Sequence, residues 1–252
     1  MAKFSPEEWQ AELFRLTVFP ELGEMQRDPT WWEAITGEPP EESTSNPKKG
    51  TSGVHGLYRE GKLHLTSAPD RIDWVYIANV MEEPPTIDLP TVGTLLEALP
   101  VFMDIGDRWL SMRNVPEINR MAFGSVLTHR EENREAAYSR VADYVPIRIS
   151  PQSSDLIYQI NVAADSKTGI EGLKLNRLSK WSGAALKSLE LNMGDVSGVR
   201  ARMPELVAIR VEFDINTMPG TGPSPLPRAK MLDLFHELMS EAETLAVNGV
   251  VV

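Results

Sequence analysis

LVAIRVEFDI, residues 206–215, decides how the rest of the chain is read. Ile209, Val211, Phe213 and Ile215 fall on one side of a two-residue period, and Arg210, Glu212 and Asp214 fall on the other. That alternation belongs to a strand with one buried and one solvated face. A strand buried on both faces would read as a continuous apolar run, so the charged row predicts an antiparallel sheet covered on one side only. A proline- and glycine-rich loop follows, and a helix carrying Leu234, Phe235 and His236 is predicted from about Pro227 onward.

The same order is legible earlier. RIDWVYIANV, residues 71–80, alternates Ile72, Trp74, Tyr76 and Ala78 against Asp73, Val75, Ile77 and Asn79. The loop MEEPPTIDLP and then a helix on the spacing of Leu95, Leu96 and Leu99 come next. A hairpin precedes each of the two strands. In the first half it turns at Glu60-Gly61; in the second, a strand with Leu156, Tyr158, Ile160 and Val162 on one face meets another with Leu173, Leu175 and Arg177, around a turn at 166–169. The expectation is an α+β fold: mostly antiparallel sheet, helices covering one face, and two related lobes, 1–145 and 146–252, or one continuous domain holding the same elements. Residue identity between the halves is negligible, so any kinship would be one of layout.

Three further segments complete the reading. Ser5-Pro6-Glu7-Glu8 has the pattern of a helix start, with Trp9, Leu13 and Leu16 following at helical spacing, while LFRLTVF, residues 13–19, fits either the end of that helix or a first strand. Residues 31–35 predict a short helix or turn, and residues 131–144 a longer helix with Ala137, Tyr138, Val141 and Tyr144 near one face. GEPPEESTSNPKKGTSG, residues 37–53, has few apolar anchors and predicts a long polar loop; a connector and a partner-binding loop both fit, and the connector is the reading preferred.

Composition excludes several classes. With no cysteine among 252 residues there is no disulfide, thiolate metal site or cysteine nucleophile. No apolar run approaches the roughly 20 residues of a membrane-spanning helix, and the N-terminus lacks an export signal, so a soluble cytoplasmic protein with no membrane contact is expected. The net charge of −11 opposes non-specific nucleic-acid binding by the chain as a whole. Its distribution is uneven, however: both ends are acidic, and 140–210 is mildly basic.

The four histidines, His55, His64, His129 and His236, show no metal-ligating spacing. A site assembled from distant elements would use His64 and Asp73 with Glu212, Asp214 and His236, a hydrolase- or nuclease-like set. Glu212 and Asp214 share a strand face with Arg210, and the plainer reading of that trio is an ion-pair ladder within the sheet. No phosphate-binding loop or nucleophile elbow is present, and Pro223 removes a backbone donor just after Gly220-Thr221-Gly222. The basic region 167–202 offers Lys174, Arg177, Lys180 and Trp181 as contacts for a partner or for single-stranded nucleic acid.

At Glu117-Ile118-Asn119-Arg120-Met121-Ala122-Phe123-Gly124, at Arg210 to Asp214, and at the closing helix with Leu234-Phe235-His236-Glu237, the chain resembles a sporadically distributed family of uncharacterised bacterial proteins of similar length. It departs from that family after the central segment, where Ser125-Val126-Leu127 replaces the usual arginine and tyrosine. The resemblance implies an α+β architecture and an accessory role in a patchily inherited gene cluster such as a phage-defence system. It transfers no catalytic residue. The function expected is therefore that of a binding or regulatory subunit without a cofactor, meeting a protein partner and able to form homo-oligomers. The alternatives are the metal-dependent hydrolase and the nucleic-acid-binding subunit.

Overall fold

The computed structural model describes residues 3–21, 28–79, 88–150, 152–187 and 205–250. The strands are β1 (Gln10–Pro20), β2 (Glu42–Asn46), β3 (Thr51–Tyr58), β4 (Gly61–Ala68), β5 (Arg71–Ala78), β6 (Ile118–Glu131), β7 (Ile157–Asp165), β8 (Lys174–Lys187) and β9 (Glu205–Thr217). The helices are α1 (Thr30–Thr36), α2 (Leu95–Leu110), α3 (Arg134–Ala142) and α4 (Met231–Asn248). All nine strands join one antiparallel sheet in the order β2-β3-β4-β5-β1-β6-β9-β8-β7. β1 and β6 lie side by side at its middle, and outward from them the order is β5-β4-β3-β2 on one flank and β9-β8-β7 on the other. The Pro-rich loop before α2 falls largely in 80–87, outside the described residues.

Register sorts the side chains into two sets. Phe14, Leu16 and Val18 stand opposite Tyr76, Trp74 and Ile72 of β5, and opposite Ser125, Phe123 and Met121 of β6. This set meets aromatic side chains of the helices. Phe102 of α2 lies 5.6 Å from Phe14 and 6.0 Å from Phe123, and Phe235 of α4 lies 6.3 Å from Phe102. Trp32 of α1 stacks on Trp74 at 6.3 Å, and Trp31 meets Trp109 edge-on at 5.4 Å. Beyond α3, Tyr144 stacks on Trp181 at 4.8 Å. Such aromatic burial carries much of the folding free energy. Local signals hold the helix ends: Thr94 and Glu97 form a capping box on α2, and Asn133 caps α3.

Three segments differ from the sequence reading. Ser5 to Glu8 closes a single capped turn, with Glu8 accepting from the Ser5 N–H at 2.8 Å, but no helix continues from it. Trp9 is fully buried with its indole donating to Ala246 O, and the chain then runs extended because the two-residue period of Phe14, Leu16 and Val18 can be buried between two neighbouring strands. Residues 37–53 hold the hairpin of β2 and β3 in place of a loop; β2 is an exposed edge whose polar side chains carry no burial pattern to read. β6 was not anticipated as a strand. It lies at the centre of the sheet with residues buried on both faces, so its sequence shows no alternation. Among the described residues, no helix is long and apolar enough to cross a membrane.

Candidate functional site

The other set of side chains builds the site. Leu13, Arg15 and Thr17 point away from Phe14 and Leu16, since alternate residues of a strand take opposite faces. One row crosses the whole sheet through Arg15: Asn161, Leu178, Asp214, Gly124, Arg15, Val75, His64, His55 and Glu42. Gly124 leaves room for the arginine beside it; a Cβ there would come within 3.4 Å of Arg15 Nε and Nη2. Leu13 stands opposite Val126 on one side and Ile77 on the other, and with Val75 these half-buried apolar residues border Arg15 along one side, while Thr17, Asp73 and Ala122 border it along the other. Arg15 Nε is buried without a hydrogen-bond partner, and among the described residues no carboxylate pairs with its guanidinium.

Two cations toward β8 and β9 on this face are paired with carboxylates. Arg210 Nε lies 3.3 Å from Glu12 Oε2, Arg210 Nη1 pairs with Glu212 Oε1, and Lys180 Nζ reaches that same oxygen at 3.0 Å. Burial alone would raise the Glu212 carboxyl, but Lys180 and Arg210 outweigh it and hold its pKa below the usual carboxylate range. An amide ladder runs alongside. Asn216 donates to Asp214 at 2.9 Å, Asn176 to Asn216 at 3.1 Å, and Asn161 to Asn176 at 3.1 Å.

The residues singled out for metal chemistry are dispersed. Glu212 and Asp214 share a face on β9 with Arg210, as the period predicts. Asp73 on β5 accepts from Thr17 Oγ1 at 2.5 Å and pairs with Arg71 at 3.0 Å. β5 and β9 are separated by β1 and β6, roughly 14 Å at ordinary strand spacing. His64 stacks on His55 with ring centroids 5.0 Å apart, and burial, then His55 and Lys62, pushes its pKa down. His236 lies on α4, with its Nε2 2.7 Å from Asp107 of α2. Among the described residues, no group of three His, Asp or Glu is placed to hold a metal ion.

The basic set is split as well. Lys174 and Lys180 take one face of β8, and Arg177 and Trp181 the other, because their numbers differ in parity. Trp181 is fully buried against Trp9, Tyr144 and Phe213 and offers no ring for a base to stack on. Arg177 is turned inward to Glu241 of α4 at 3.2 Å. Lys174 sits 3.7 Å from Asp165. Arg200 and Arg202 lie outside the described residues.

Sequence reasoning missed Arg15. Its signal was present in LFRLTVF, where Leu13, Arg15 and Thr17 alternate with Phe14, Leu16 and Val18, but the helix-start pattern just upstream competed with it. Fold and site together define an α+β protein built on one open antiparallel sheet, with an unpaired arginine at the middle of one face. No family model, curated protein or solved structure matches the chain.

Proposed function

We propose that this chain is a non-enzymatic binding protein, a cytoplasmic subunit or regulator in a bacterial multi-protein system of the defence-cluster kind, with its helices covering one face of the sheet and a protein partner docking on the other. Arg15 carries the reading. A guanidinium with an unpaired Nε, bordered on one side by the half-buried Leu13, Val75, Ile77 and Val126, has the composition of a protein–protein hot spot. Folding leaves the half-buried guanidinium without a carboxylate partner among the described residues, and a carboxylate or backbone carbonyl of the docking protein would supply an acceptor to its outer nitrogens. The net charge of −11 favours a protein over a polyanionic backbone as that partner.

The test is purification of the tagged protein from its native host at physiological salt, in parallel with Arg15→Glu. The expected result is a stoichiometric protein that accompanies the wild type and is lost from the variant while the variant stays folded. A partner retained by Arg15→Glu would overturn the proposal, and so would nucleic acid co-purifying in its place.

A further inference from the structure

The sheet ends in two unlike edges. β2 is short: its five residues are all exposed, and it is flanked by Pro39-Pro40 and Pro47. Short, proline-flanked edges are a common protection against unwanted strand pairing. β7, IYQINVAAD, runs for nine residues without proline, lysine or arginine, and its one charge is Asp165 at the end. Exposed and half-buried residues alternate along all of it, and Ile157 is 68% exposed.

The backbone groups on that edge can be assigned. Ser166 donates its N–H to Leu173 O at 2.9 Å, one step beyond the Asp165–Lys174 pair. In an antiparallel ladder the residues that bond to the partner strand alternate with those that point away. The even-numbered residues of β7 therefore bond to β8, and Ile157, Gln159, Asn161, Ala163 and Asp165 aim their N–H and C=O outward. Met218 donating to Lys174 O fits the same parity on the far side of β8. Among the described residues, no turn, loop or cap bond satisfies these outward groups.

We infer that two copies of this chain pair antiparallel through β7, with Asn161 on the two-fold axis, joining their sheets into one. This register uses every outward group, pairing Ile157 with Asp165, Gln159 with Ala163, and Asn161 with itself, for about ten interchain hydrogen bonds. It sets Ile160 beside Val162 and Tyr158 beside Ala164 on one face, and it keeps the two Asp165 carboxylates apart. The amide ladder ending at Asn161 continues across the axis into its copy. Such self-matching is what an isologous two-fold contact requires. The strand is uncharged from Ile157 to Ala164, so it meets its own copy with no like charges opposed, and this favours a second copy as the occupant.

The cysteine-free chain makes the register readable. Asn161→Cys would place two thiols at a Cα separation of about 5.5 Å, within disulfide reach. Light scattering of the wild type should give a dimer. Oxidation should lock Asn161→Cys covalently and leave Gln159→Cys and Ala163→Cys unlinked. Ala163→Pro removes only an outward N–H, so it should keep the circular dichroism spectrum and weaken the dimer by about tenfold or more. A wild-type monomer across a dilution series, a dimer that fails to cross-link at 161, or β7 occupied by a different protein would each overturn the inference. None of these results depends on Arg15, so the dimer and the partner-binding face fail separately.

Discussion

Replacing Gly106 with alanine sets two effects of opposite sign against each other. In an exposed helix the change is stabilising, by about 1 kcal/mol, because glycine is the freer residue when unfolded. Gly106 of α2, however, lies directly under Phe235 of α4. A Cβ there would sit 3.0 Å from Phe235 Cδ1 and closer still to Cε1 and Cζ. Ordinary carbon contacts begin near 3.5 Å, so the ring would have to withdraw by about 1 Å. It has nowhere to go, since Phe235 is fully buried and already packed against Phe102 at 6.3 Å. Overpacking of this kind costs about 1–3 kcal/mol, and the upper end applies where no free volume exists. Subtracting the helical gain leaves Gly106→Ala destabilised by about 2 kcal/mol, which for a chain of this size lowers Tm by about 4–8 °C. Thermal and urea unfolding measure it. Phe235→Leu in the same background should recover part of the loss, with a coupling of about 1 kcal/mol between the two sites. A Gly106→Ala protein as stable as the wild type or more so would refute the close approach of α2 and α4.

Other expectations follow from the charges. Glu241 is buried between Lys167 and Arg177, which overcome the rise that burial alone would cause and hold its pKa below 4.5. A depressed carboxyl pKa adds stability above the unfolded value that is lost as pH falls through the folded one, so Glu241→Gln should flatten the loss of Tm below about pH 4.5 and cost about 1–3 kcal/mol at neutral pH. Burial pushes the Tyr144 hydroxyl up to about 12 from 10.0. Its raised value means that stability declines between those two pH values, and urea unfolding of Tyr144→Phe should show a shallower alkaline decline. Arg15→Met should leave Tm unchanged or higher, since it removes an unpaired buried donor; a loss above about 2 kcal/mol would show that the guanidinium serves folding rather than binding.

The sequence was most legible where one face of a strand is wet. LVAIRVEFDI and RIDWVYIANV both became strands because apolar side chains recur at every second position, Ile209 to Ile215 and Ile72 to Ala78, and Leu95 to Leu99 became a helix on the 3.6-residue period. The middle of the sheet was not legible, for a physical reason. β6 buries Met121 to Ser125 consecutively, so the two-residue period vanishes where the two flanks of the sheet meet. The outer edge failed in the opposite way, since Glu42 to Asn46 are all exposed and pairing with β3 leaves no mark on their composition. For the site, parity on one strand was reliable: Arg210, Glu212 and Asp214 do share a face. Grouping by nearness in sequence was not, because Lys180 and Trp181 are adjacent in the chain and project to opposite sides of the sheet.

The proposed binding face can be tested most directly by hydroxyl-radical footprinting of the purified complex against the free protein. Leu13, Val75, Ile77, Val126 and Leu178 are half-buried on that face and accessible to label, whereas Phe14, Leu16 and Trp74 are not. The account predicts that the partner suppresses labelling of those five residues together. Unchanged labelling there, with protection confined to residues of α1, α2 or α4, would contradict it.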